Sequence, residues 1–173
     1  GDSAVRPNVT APGILILSAA VGSGNLGRVD SGTSMATPHV TGVAALAVQA
    51  HPDWNAQEIA ASLVNTADPE KVGGYDPTLA GGLVDPVDAV GASVVAYGDS
   101  TDVNGAAVRD AGLSFGYAES STTFEATRKV TLVNKGTGAA QFTAGSQPAE
   151  KSRNATISFG QEEITVPAGG SVD

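Results

Sequence analysis

Ile14-Leu15-Ile16-Leu17-Ser18-Ala19-Ala20-Val21 and, after a glycine-rich interval, Ser34-Met35-Ala36-Thr37-Pro38-His39-Val40-Thr41-Gly42-Val43-Ala44-Ala45-Leu46-Ala47-Val48-Gln49-Ala50 decide the fold. The first stretch is a continuous apolar run entered through Ala11-Pro12-Gly13, the pattern of a strand covered on both faces, as in a parallel sheet flanked by helices. The second is too long for a strand. It is apolar nearly all round, broken chiefly by Thr37, His39, Thr41 and Gln49, and so predicts a helix crossing the middle of a large domain. Pro38 near its start is tolerable only within the first turn. Asn55 and Glu58 have the spacing of a capping box, with Ile59 and Leu63 on one face, which predicts an amphipathic, peripheral helix over 55–65. The expected fold class is α/β.

The remainder of the 173 residues sets bounds on function. There is no cysteine, 41% of residues are apolar and 16% are charged, so the chain is neither a disulfide-stapled mini-protein nor a disordered polyelectrolyte. Nine basic against eighteen acidic residues give a net charge of -9, which opposes binding to nucleic acid or anionic lipid. Pro38, His39, Gly42 and Gln49 interrupt the longest apolar stretch, so no membrane span is expected. Gly1 is not an initiator Met, and Pro167-Ala168-Gly169-Gly170 reads as a turn into a further strand. The chain is therefore expected to be an interior piece of a longer protein.

Composition changes near residue 110. Residues 1–110 hold four basic and twelve acidic residues, and residues 111–173 hold five and six with many Thr and Ser, so two domains are expected, 1–110 and 111–173. In the second, apolar residues alternate with polar ones across Phe124, Ala126, Val130 and Leu132 and again at Ala140, Phe142 and Ala144. Gly136-Thr137-Gly138 between them predicts a hairpin turn. Runs at 157–159 and 164–166 extend this to an antiparallel β-sandwich.

Three chemistries compete over residues 22–39. Gly22, Gly24 and Gly27 form a G-x-G-x-x-G pattern. It opens no helix, because Ser31-Gly32 follows at once, and no acid lies between Asp30 and Asp53 to hold a ribose, so a glycine-rich turn between strands is preferred. Gly32-Thr33-Ser34-Met35-Ala36 resembles a nucleophile elbow, but both histidines, His39 and His51, precede every acid downstream of them, the reverse of the acid-then-histidine order that elbow requires. The third reading puts Ser34 at a helix N-terminus, where its backbone N–H and the helix dipole face a developing oxyanion. His39 would lie about 140° around that helix and His51 roughly 25 Å along it, so neither serves as base. Taken alone, a serine at a helix start is far more often an N-cap than a catalyst, and that simpler role competes with catalysis.

Ser31-Gly32-Thr33-Ser34-Met35-Ala36-Thr37-Pro38-His39-Val40, followed by Gly42-Val43-Ala44-Ala45-Leu46, resembles the nucleophile segment of the subtilisin-like serine proteases (subtilases). Three further stretches are similar to the same family: Arg6 to Gly13 upstream, His51-Pro52-Asp53-Trp54 with Asn65-Thr66-Ala67, and Gly81-Gly82-Leu83-Val84-Asp85. Leu113-Ser114-Phe115-Gly116 and the strands after it resemble the fibronectin type III-like domain of larger cell-envelope subtilases.

The resemblance implies the C-terminal part of a parallel-sheet peptidase domain followed by the start of that sandwich. It implies Ser34 as acyl-enzyme nucleophile, the Ser34 N–H and the Thr33 hydroxyl as oxyanion support, a buried Met35 and a structural His39 packed in the core. It implies polypeptide substrates and a secreted or cell-envelope location in a bacterium. The catalytic Asp, the His and the oxyanion amide would come from the missing N-terminal part of the same domain, leaving this piece inactive alone. No cofactor or metal is expected here, since the acids from Asp68 to Asp88 are irregularly spaced; calcium is allowed elsewhere in the parent. Asn8-Val9-Thr10 and Asn154-Ala155-Thr156 are formal glycosylation sequons, and Trp54 reads as a packing anchor. The rival reading is a non-catalytic binding or structural module derived from a subtilase.

Overall fold

A computed structural model describes residues 7–73, 81–115, 123–147 and 155–173. Gly1, Arg6, Gly116 and Asn154, which the sequence reading used, and residues 74–80 within its acidic stretch lie outside the described residues. Two short strands, β1 (Ile16–Ala19) and β2 (Gly27–Asp30), pair antiparallel from Ile16–Asp30 to Ala19–Gly27. Gly22 and Gly24, at φ 77° and 75°, turn the chain between them, and the Ala20 N–H closes the loop on the Leu26 carbonyl at 3.0 Å. The interval is a glycine turn, as preferred over a nucleotide loop. The faces of the hairpin differ from expectation. Ile14, just before β1, is 79% exposed and Leu17 70%, because β1 pairs along one edge and only Ile16 of its apolar side chains is half-buried among the described residues.

Helix α1 spans Thr33–Ala50 and α2 spans Ala56–Asn65. The capping box is present in full: Asn55 Oδ1 accepts from the Gln57 and Glu58 amides, and Glu58 Oε2 accepts from the Asn55 amide at 2.7 Å. A short α3 (Pro86–Gly91) starts with Pro at its first position and Asp85 as cap. These three helices enclose one core of Val43, Ala47, Ile59, Leu63, Val84 and Ala89. His51, which follows α1, stacks on Trp54 with ring centroids 4.0 Å apart, and its Nε2–H donates to the Val90 carbonyl at 2.9 Å. The C-terminal end of α1 is thereby tied to that of α3. Trp54 packs against this core and against a second cluster of Ala61, Val95 and Tyr97, which is the anchoring role expected of it.

Backbone bridges hold the segments around this core. Leu83 pairs parallel with Thr10 and antiparallel with Asp68, and Gly82 sits at φ 147° where a Cβ would lie 2.6 Å from the Asp68 carbonyl carbon. Helix and strand are thus mixed, as the α/β class requires. The strand ladders of the described residues are antiparallel, and the parallel pairing is this one bridge.

The β-rich half has a different connectivity from the predicted hairpin. β3 (Val94–Tyr97) pairs with β6 (Thr131–Asn134), which pairs with β9 (Ser171–Val172), whereas β7 (Ala140–Thr143) pairs with β8 (Glu163–Val166). The turn at 136–138 therefore carries the chain from one sheet to another. Asn134, 1% exposed, organises that corner. Its Nδ2 donates to the Gly138 and Val166 carbonyls at 2.9 and 3.1 Å, and its Oδ1 accepts from the Gly136 amide at 2.8 Å. Because β3 precedes residue 110 and β6 follows it, the two compositional halves share one sheet. β4 (Ser100–Val103) and β5 (Ala106–Arg109) form a separate two-stranded hairpin.

Helix α2 packs on β3. Asn65 exchanges two hydrogen bonds with the backbone of Ala96, and Glu58 Oε1 meets Lys135 Nζ at 2.8 Å. Burial, reinforced by the Glu58 charge and only partly opposed by Arg109, pushes the Tyr97 hydroxyl up to about 12.

Two outcomes follow from this packing. Asn134→Ala removes the partner of the half-buried Gly136 N–H and of the buried Val166 carbonyl and costs about 1–3 kcal/mol in urea unfolding. The Lys71 ammonium, 2.8 Å from Asp85, and then the Asp88 amide hold the Asp85 carboxyl below its ordinary value, so the stability it adds is present above pH 3.8 and is lost as pH falls through the lowered value. Unfolding measured from pH 6 to pH 2 should accordingly show a shallower acid limb for Asp85→Asn.

Candidate functional site

The start of α1 is fixed by backbone contacts. Gly32 is the cap, at φ 154° and ψ 171°, a conformation that favours glycine, and it has no side chain to bond the first turn. Its N–H donates to the Gly13 carbonyl at 2.7 Å, while the Ser31 hydroxyl oxygen accepts from the Leu15 N–H at 2.9 Å. A Cβ at Gly13 would lie 2.8 Å from the Gly32 oxygen and 3.2 Å from the Ala36 Cβ. Ala11-Pro12-Gly13 is therefore a seat for the helix as well as an entry to β1.

Sequence reasoning treated Gly13 only as the lead into a strand. The signal for the rest was thin: a glycine after proline shows that room is needed, but not for what. The Ser31 bond to Leu15 left no trace in the pattern.

Ser34 is the second residue of the helix and is exposed. It is not the cap, so the simpler structural role is taken by Gly32. The first-turn amides of Met35 and Ala36 both use the Gly32 carbonyl, at 3.0 and 3.3 Å. The Ser34 N–H and hydroxyl have no hydrogen-bond partner among the described residues. Thr33, at the first helical position, is exposed beside it. An open groove of about 660 Å³ runs from Ser34 along Thr37, Pro38, Thr41, Gly42 and Ala45. Those positions recur every three or four residues and so form one face of the helix.

Pro38 sits in the second turn, because α1 begins at Thr33, and not in the first as the sequence reading required. It has no N–H for the Ser34 carbonyl. Side chains brace the neighbouring carbonyls: the Thr37 hydroxyl donates to Thr33 at 2.9 Å, His39 Nδ1 to Met35 at 2.9 Å, and the Thr41 hydroxyl to Thr37 at 3.0 Å. His39 is exposed, not part of the core, and Met35 is only half-buried. The reason is that α1 buries Val43 and Ala47 against α2 and α3 and presents its other faces to solvent.

Neither histidine reaches Ser34. His39 is committed to its own turn, and His51 lies beyond the far end of α1, where it holds Val90. Near the helix start the charged groups are Arg28 and Asp30, paired at 2.7 Å, with Asp30 Oδ1 accepting from the Ser31 N–H. Among the described residues no group of three or more His, Cys, Asp or Glu side chains is arranged to hold a metal, and no helix is long and apolar enough to cross a membrane. The geometry presents a free hydroxyl, with a free amide beside it, at the positive end of a helix. It lacks a base.

Residues 2–81, which contain this helix start, match the Subtilase family. Subtilisin-like protease SBT3 of Solanum lycopersicum is 41% identical over 76 residues, covering 37% of this chain and 10% of that protein. Two Arabidopsis thaliana proteins, subtilisin-like proteases SBT3.17 and SBT4.4, are 44% and 36% identical over 63 and 107 residues, covering 36% and 53% of this chain. They are covered over 8% and 14% of their own lengths, so the chain spans a small part of the relatives it matches. The expected secreted or cell-envelope location in a bacterium is corrected in its bacterial origin by these relatives, which are plant proteins.

Gly13→Ala should push the Gly32 backbone away from its seat. The expected result is a loss of about 1–3 kcal/mol in urea unfolding together with faster hydrogen exchange at the Gly32 amide.

Proposed function

We propose that this chain is part of a subtilisin-like serine peptidase and carries the nucleophile, Ser34, of an acyl-transfer reaction. The observation that carries the reading is the match of residues 2–81 to the Subtilase family, with Ser34 exposed and unbonded at a helix start whose Gly32 cap has no side chain. In this reading a base takes the proton from Ser34 Oγ, which attacks a peptide carbonyl carbon. The resulting oxyanion is stabilised by the Ser34 N–H, the helix dipole and the Thr33 hydroxyl. The C–N bond then breaks, the amine leaves with the proton, and water hydrolyses the ester on Ser34.

The acid, the base and the side-chain amide of the oxyanion hole belong to other parts of the parent. The same parts would cover the hairpin face at Ile14 and Leu17 and the open faces of α1. We assign residues 1–110 to the peptidase domain and 111–173 to a fibronectin type III-like sandwich on the change of composition near residue 110, with β3, from before that boundary, adding a strand to the sheet of β6 and β9. Polypeptides are the substrate class.

A fluorophosphonate probe tests this on the isolated chain and on the parent protein. The isolated chain should remain unlabelled, and the parent should be labelled at Ser34 with the label abolished in Ser34→Ala. Labelling of the isolated chain would contradict the missing base. An unlabelled, folded parent would overturn the peptidase reading in favour of a non-catalytic module.

A further inference from the structure

The sequence has seven asparagines, and six of them are protected by structure or by the residue that follows. Asn55, Asn65 and Asn134 spend their side-chain amides on backbone partners. Asn8, Asn25 and Asn154 precede Val9, Leu26 and Ala155, whose side chains crowd the backbone nitrogen that follows. Asn104 differs. It precedes Gly105, is exposed, and occupies the two-residue turn between β4 and β5 with φ 55° at Asn104 and 84° at Gly105. Such a turn favours Asn-Gly because both positions need positive φ.

We infer that Asn104-Gly105 is a self-modifying site at which the turn converts to an aspartyl or isoaspartyl linkage. The Gly105 backbone nitrogen, once deprotonated by solvent hydroxide, attacks Asn104 Cγ. A C–N bond forms, the Cγ–NH₂ bond breaks, and the NH₂ takes a proton from water and leaves as ammonia, giving a five-membered cyclic imide. Water then adds to either imide carbonyl and opens the ring, yielding Asp or a β-linked isoaspartate. No oxidant or cofactor enters the balance.

Access to the reactive geometry comes from the hairpin itself. Among the described residues β4 and β5 join no other sheet, and a two-stranded ribbon is marginally stable in water. β5 is exposed along its length, so the ribbon frays without opening the core and releases Asn104 from its left-handed conformation. Glycine at 105 then puts no side chain in the way of ring closure. The isoaspartyl product lengthens the backbone inside a turn whose register, Val103 opposite Ala106, allows only two connecting residues. The change is therefore one-way and deforms the hairpin, whose Arg109 N–H is held by Gln57 of α2 at 3.3 Å.

The test is incubation of the whole folded chain at mildly alkaline pH, with peptide mapping by mass spectrometry, assay of released ammonia, and methyl transfer by an isoaspartyl methyltransferase. The expected result is the mass gain of carboxamide-to-carboxylate conversion in the peptide containing Asn104 before any other, with methyl acceptance there. Asn104→Gln should remove both signals and bring ammonia release to background. If Gln at that position disturbs the turn, Asn104→Asp keeps the charge of one product and should likewise release no ammonia. The inference is overturned if another asparagine converts first. It is equally overturned if Asn104 converts only after the chain is denatured, since the fold would then protect it.

Discussion

The hydrogen bond from the Gly32 amide to the Gly13 carbonyl, 2.7 Å long at a point where no Cβ fits, sets the position of α1. It brings the loop before β1 into contact with the helix start and places Ser34 at the mouth of an open groove. A serine or threonine cap would have folded its own hydroxyl back onto the first-turn amides. Glycine in that place leaves the Ser34 N–H to serve something outside the helix, and it leaves the Ser34 hydroxyl uncommitted. The chemical character of the site follows from a residue with no side chain.

A second asymmetry follows from how α1 is buried. One stripe, Val43 and Ala47, is packed on α2 and α3, while Leu46 and Val48 remain about half exposed, at 49% and 52%. Together with Ile14, Leu17 and Val21 on the hairpin, these side chains form more exposed apolar surface than isolated residues would. A helix apolar all round is normally buried all round. Its open faces therefore point to further structure packed there, which agrees with the proposal that the rest of a catalytic domain completes the groove.

The legible parts of the fold were those written in local patterns. Asn55 and Glu58 announced the start of α2, and Ile59 and Leu63 its buried face, because capping and amphipathicity act within a few residues. The glycine interval announced a turn. The nucleophile segment announced Ser34 only through family resemblance, since a serine near a helix start is chemically commonplace. What sequence could not supply was pairing over distance. Alternation at Leu132 and Phe142 showed two strands, but nothing local revealed that one joins β3 and the other β8, because the choice is made by Asn134 bonding to Gly138 and Val166. Nor did the apolar character of α1 reveal which faces this chain itself covers. The family resemblance implied a core His39, and it lies on an open face where it braces the Met35 carbonyl.

The most direct measurement is a crystal structure of the parent protein soaked with a peptide aldehyde. The account predicts a covalent bond from Ser34 Oγ to the aldehyde carbon, with the resulting oxygen within hydrogen-bonding distance of the Ser34 N–H and α1 seated on Gly13 as described. An aldehyde bound elsewhere, or a Ser34 hydroxyl turned inward to bond the helix backbone, would contradict it.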